Sequence, residues 1–150
     1  MSKEQHGFSL IELLIVVVII GVIAALAIPG LQRARRYAQS GSAIQSLRTI
    51  TTAENLYERR YKAYATLADL APEGTIDTNL GLGIKSGYNF TLSLVLDAAD
   101  TASGKLQTFK CNADPQADPA TGLYFYVDET AVIRSNEGAP ADANSPVIPR

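Results

Sequence analysis

The sequence predicts an α+β chain: a long, bent N-terminal helix, apolar in its first half, packed by its second half on a four-stranded antiparallel sheet. Three observations predict it. From residue 8 to residue 28 the chain is apolar except for Ser9 and Glu12. Beyond that run, Ala43, Leu47, Ile50, Ala53, Tyr57, Tyr61 and Tyr64 recur at steps of three and four, the stripe of an amphipathic helix. From Ser86 onward the period becomes two, with Tyr88, Phe90, Leu92, Leu94 and Leu96 alternating with Asn89, Thr91, Ser93, Val95 and Asp97, as in a half-buried strand.

The totals narrow the function. The 150 residues fit one modest domain, and a formal net charge of -2 with interspersed signs gives no general affinity for nucleic acid. Cys111 is the single cysteine, so no intramolecular disulfide is possible and packing must hold the domain. It lies in a strand-like run, L-Q-T-F-K-C, and reads as a small buried apolar group. His6 is the single histidine and stands near the N-terminus, which removes most histidine-based catalysis and His-rich metal sites. There is no Gly-rich phosphate loop and no nucleophile elbow, so the chain reads as neither an enzyme nor a cofactor carrier.

The N-terminal run admits three readings. As a helix, residues 8–28 would span ~31 Å, about one hydrocarbon core. The run could be a plain anchor, or a secretory signal with Ala25, Leu26 and Ala27 as a cleavage site, or the start of a chain cut between Gly7 and Phe8. Glu12 separates them. A carboxylate inside a membrane segment costs a few kcal/mol and asks for a partner. Cleavage after Gly7 would create a cationic amine on Phe8, one helical turn from Glu12, at a helix start that is itself electropositive. The amine of a neighbouring copy would serve equally and would fix a stagger between subunits.

The stretch Gly7-Phe8-Ser9-Leu10-Ile11-Glu12-Leu13, behind a short polar leader, resembles the cleavage and methylation motif of type IV prepilins and pseudopilins. The resemblance covers roughly residues 7–31. It implies the pilin fold, cleavage by a prepilin peptidase after Gly7, and N-methylation of Phe8. It assigns Glu12 as the assembly residue, with Gly21 and Pro29 at the places where the family loosens the helix. It implies a cytoplasmic leader and an inner-membrane precursor that an assembly platform turns into an extracellular filament. Charge counting points the other way, since Lys3 is offset by Glu4 in the leader while Arg33, Arg35 and Arg36 follow the apolar run. The cleavage motif is the more specific signal. The arginines then read either as partners of acidic lipid headgroups before assembly or as a solvated helix face.

The helix is expected from about Phe8 to about Tyr64, bent near Pro29, with no strong stop before Ala71-Pro72-Glu73-Gly74. Such a helix is ~85 Å long and cannot be buried by the rest of the chain. Its first half must find lipid and then other copies of itself, and Gly21, Ala24, Ala25 and Ala27 allow close approach. The tyrosines at 57, 61 and 64 read as core against the sheet.

The expected organisation is leader 1–7, apolar helix 8–31, amphipathic helix 32–64, connection 65–87, sheet 88–134 and tail 135–150. After the strand that begins at Tyr88, residues 97–104 read as a turn and 105–111 as the second strand. Residues 123–127 and 131–134 form a hairpin around Asp128, Glu129 and Thr130. The residues after Ile133, rich in Pro, Ala, Asn and Ser, read as an exposed arm or a disordered tail. Many pilins close this region with a disulfide, which Cys111 alone cannot form. Asp97 with Asp100, and Asp114 with Asp118, read as turn acids rather than a metal site. Asn89-Phe90-Thr91 fits a glycosylation pattern by chance. S-G-Y-N-F-T-L (86–92), Y-V-D-E-T-A-V-I-R (126–134) and A-D-P (113–115) also resemble short pilin-like proteins of soil and sediment bacteria.

The expected function is a structural one: a homopolymer built through N-terminal helices into a type IV pilus. Two alternatives stay open, a pseudopilin of type II secretion and a secreted or membrane-anchored binding module.

Overall fold

A computed structural model of the chain describes residues 8–96 and 107–148. It divides into two compact units, Met1–Ala38 and Gln39–Arg150. Helix α1, Leu10–Tyr61, contributes to both.

In the second unit, α1 buries a stripe of Ala43, Leu47, Ile50 and Ala53. Burying a leucine or isoleucine is worth roughly 1.5–3 kcal/mol, so this stripe anchors the helix. Ser46, Thr51 and Glu54 are buried with it. Thr51 tolerates this by donating its hydroxyl to the Leu47 carbonyl at 2.9 Å. The helix ends where Lys62 takes a left-handed conformation, φ 60°.

The connection is more ordered than a loop. Thr66 caps the short helix α2, Leu67–Leu70, in a reciprocal box with Asp69. Asp77 caps α3, Thr78–Gly81, by accepting the Leu80 N–H at 3.1 Å, and pairs with Lys85 at 2.6 Å. Strand β1, Ile84–Lys85, then pairs with β2, Tyr88–Leu96. Ser86 and Gly87 join them with positive φ at both positions, the requirement of a type I′ hairpin turn. A Cβ on Gly87 would stand 2.7 Å from the Gln39 side chain, so this turn packs directly on α1.

The sheet is an antiparallel meander in the order β1-β2-β3-β4-β5, with β3 Gln107–Pro115, β4 Leu123–Asp128 and β5 Arg134–Glu137. Its registers stack Phe90, Ala113 and Phe125 across three strands, and beside them Leu92, Cys111 and Val127. Alanine between two phenylalanines leaves room for both rings. These residues face the α1 stripe in one core.

Several expectations change. The sheet has five strands, because the two residues before Ser86 also pair. Strand β3 continues to Pro115 rather than ending at Cys111. The last strand begins at Arg134, not at Ala131. Asp128 accepts from both the N–H and the hydroxyl of Thr130, and Ala131 takes φ 60°, so residues 129–133 form a wide turn. Tyr57 and Tyr64 are partly buried and pack against the core, Tyr64 on Phe109 with ring centroids 5.1 Å apart. Tyr61 is exposed and donates its hydroxyl to Glu73 at 3.0 Å. The turn at 97–104, with Asp97 and Asp100, lies outside the described residues.

The tail is neither an arm nor disordered as far as Ile148. Ala141 and Ser145 are buried, and Ala141 clusters with Tyr124 and Tyr126. The Ser135 N–H donates to the Pro146 carbonyl and the Ile148 N–H to the Ile133 carbonyl, at 2.9 and 3.0 Å. Composition underrates such a segment because its partners are distant in sequence.

Candidate functional site

The first turn of α1 carries the site residues foremost in the sequence. Ser9 stands just before the helix and Glu12 is its third residue. The Glu12 carboxylate reaches back, and its Oε2 accepts the Ser9 N–H at 2.9 Å. The Leu13 N–H donates to the Ser9 carbonyl at 3.2 Å. This is one half of a capping box. Helix starts leave N–H groups without partners and carry partial positive charge, so a carboxylate there is favourable. Sequence reasoning gave Glu12 only a terminal amine as partner. The S-x-x-E spacing, Ser9 to Glu12, was the signal for this second one.

Gly7 lies outside the described residues, and Phe8 is exposed. The fifteen large apolar side chains from Leu10 to Leu31 are all exposed in the single chain. The helix is long and apolar enough to cross a membrane by length and composition. It continues through Pro29, which has no N–H to give to the preceding turn. A Cβ on Gly21 would meet nothing within 4 Å, so no contact in this chain requires glycine there. Glu12, Gly21 and Pro29 are strung along one helix over ~25 Å rather than gathered in a pocket.

The second unit holds a polar feature that sequence reasoning missed. Glu54 is wholly buried, and its Oε2 accepts the Ala65 N–H at 3.0 Å. Its other oxygen is buried without a partner. Burial pushes this carboxyl from its ordinary value near 4.5 up to about 7, against the opposing effect of the Ala65 hydrogen bond. The visible signal was position: Glu54 follows Leu47 and Ile50 at helical spacing on the core stripe. Cys111 is also buried, and its thiol is raised well above the ordinary range, chiefly by burial.

The model of the prokaryotic N-terminal methylation motif matches residues 2–28, which span the first turn and most of the apolar helix. A fimbrial protein of Dichelobacter nodosus is 34% identical over 162 aligned positions, covering 99% of this chain and 96% of that one. The chain belongs to the type IV pilin-like family. The type IV major pilin protein PilA of Myxococcus xanthus is 39% identical over 75 residues, 48% of this pilin-like chain and 34% of that longer one. The type II secretion system core protein G of Dickeya chrysanthemi is 30% identical over 66 residues, 44% of this chain and 43% of that one. No solved structure matches. Among the described residues of this pilin-like chain, no group of three or more His, Cys, Asp or Glu side chains is placed to hold a metal ion.

Proposed function

We propose that the chain is the structural subunit of an extracellular type IV pilus, made as an inner-membrane precursor with a cytoplasmic leader. A prepilin peptidase cuts after Gly7 and the new Phe8 amine is methylated. The subunit then polymerises through its N-terminal helices on an inner-membrane assembly platform. The observation that carries this reading is the methylation motif, joined to an apolar helix that its own chain leaves bare. In the precursor the Ser9 cap occupies Glu12. After cleavage the carboxylate takes the Phe8 amine of its own or a neighbouring chain, a charge-assisted pair stronger than the cap alone. Gly21 admits a neighbouring helix at close range, and Pro29 supplies the local weakness that lets the helix adapt when packed.

Intact mass and N-terminal sequence of the protein from cells test this. A chain beginning at Phe8 and heavier by one methyl group supports it. A chain beginning at Ile28 would make it an ordinary secreted domain. The similarity to core protein G favours one second reading, a pseudopilin of type II secretion. Deletion separates the two: loss of long surface filaments fits the pilus, and loss of exoprotein secretion fits the pseudopilus.

A further inference from the structure

Glu54 sits on the helix face that the core covers, seven residues after Leu47. Four residues past the end of α1, Ala65 is buried and its N–H is bonded to Glu54. The chain reaches that place by reversing at Lys62, whose N–H donates to the Glu58 carbonyl at 2.7 Å. Glu54 Oε2 accepts that N–H, and Oε1 is buried without a hydrogen-bond partner.

We propose that Glu54 is a proton-operated latch: its neutral carboxyl holds the Ala65 turn on α1, and loss of the proton loosens that turn.

Two effects oppose each other when the carboxyl ionises. A carboxylate is the stronger acceptor for the Ala65 N–H. It also places charge on the buried Oε1, and desolvation is the larger of the two effects. The groups that share its electrostatic surroundings do not help. Cys111 of β3 and Tyr64 of the connection are the groups that feel its charge. Glu58 of α1 and Glu129 of the turn after β4 act on Tyr64, and Asp114 acts on Cys111. All are acids. The ion pairs Arg60–Glu73 and Lys85–Asp77 engage other carboxylates. Hydration of Oε1 therefore requires the turn at 62–66 to open. Opening breaks the Ala65 hydrogen bond and parts Tyr64 from Phe109. It also disturbs the Thr66 box that starts α2.

The latch is independent of the assembly reading, so it is tested on the full-length chain in detergent micelles. The Glu54 side-chain carboxyl resonance and the Ala65 amide protection factor are followed by NMR as pH rises. The expected result is a carboxyl that titrates near neutrality, well above its ordinary value. Ala65 protection falls about tenfold or more across the same step while that of Phe90, bonded to Gly83 in the β1–β2 region, does not. In Glu54→Gln the Ala65 protection factor is expected to be flat with pH. Titration of Glu54 at its ordinary value near 4.5, or equal Ala65 protection on both sides of the step, overturns the proposal. The wild-type measurement decides even where the variant fails to fold.

Discussion

The side-chain amide of Asn112 donates to the carbonyl of Ala141 at 2.8 Å, tying the solvent side of β3 to the C-terminal segment. Around this bond the segment is closed at several points. Arg134 donates to the Ser145 carbonyl at 3.0 Å, and Asp142 folds a tight turn by accepting from Asn144 and Ser145. Ala141 fills the space beside Tyr124 and Tyr126. A chain with a single cysteine thus fixes its C-terminal region with hydrogen bonds and a small second cluster.

Asn112→Ala should therefore release the tail before it harms the sheet. Removing the donor leaves the Ala141 carbonyl short of a partner in a largely buried place, a cost of about 1–3 kcal/mol. Urea unfolding should show the loss. Limited proteolysis should show earlier cutting after residue 138, with residues 39–96 still protected.

Cys111 should be inert in the native chain. It is fully buried, and its raised thiol is protonated at any ordinary pH. A thiol reagent at mildly alkaline pH should label it only after denaturant is added. Rapid labelling in native buffer would mean that the core around Phe109 and Val127 opens far more readily than its packing implies.

Stability should vary with pH in a way that Glu54 and Asp77 divide between them. The Glu54 pKa is raised in the folded state, so its contribution is complete below about 4.5 and is lost as pH rises through about 7. Asp77 is lowered, first by its hydrogen bond from Lys85, so its contribution is present above the ordinary carboxyl range and lost as pH falls through it. Urea midpoints measured across this range should decline on both sides. Glu54→Gln should flatten the neutral limb and leave the acid limb in place.

Glu12→Gln separates capping from charge pairing. The amide oxygen can still accept from Ser9, so the precursor helix should form and insert normally. The charge for the Phe8 amine is gone, and sheared filament yield should fall by about tenfold or more, as expected when an interaction of ~1.4 kcal/mol or more is lost. Normal yield with normal cleavage would leave the capping bond as the whole role of Glu12.

Much of this fold is legible in the sequence. The alternation from Tyr88 to Leu96 and the three-four spacing from Ala43 to Tyr57 are local periodicities, and each became the element it named. The S-L-I-E start and the unbroken apolar run after it are also local. Less was legible where a residue departed from its stripe. Tyr61 follows Tyr57 at helical spacing, yet Glu73 draws it to the surface. Glu54 looks like a surface acid until Ala65 turns back on it.

The sequence by itself determined the α+β order, the apolar N-terminal helix and the motif at its head, because each is written in neighbours a few residues apart. Tertiary structure alone decided that Asn112 and Arg134 hold the tail and that an acid at 54 is buried. Those outcomes depend on partners 11 to 29 residues away, as with Glu54 and Ala65 or Asn112 and Ala141. A hydrogen bond across such a separation leaves no period in the chain. It forms only when the hydrophobic core has already brought the two backbones together.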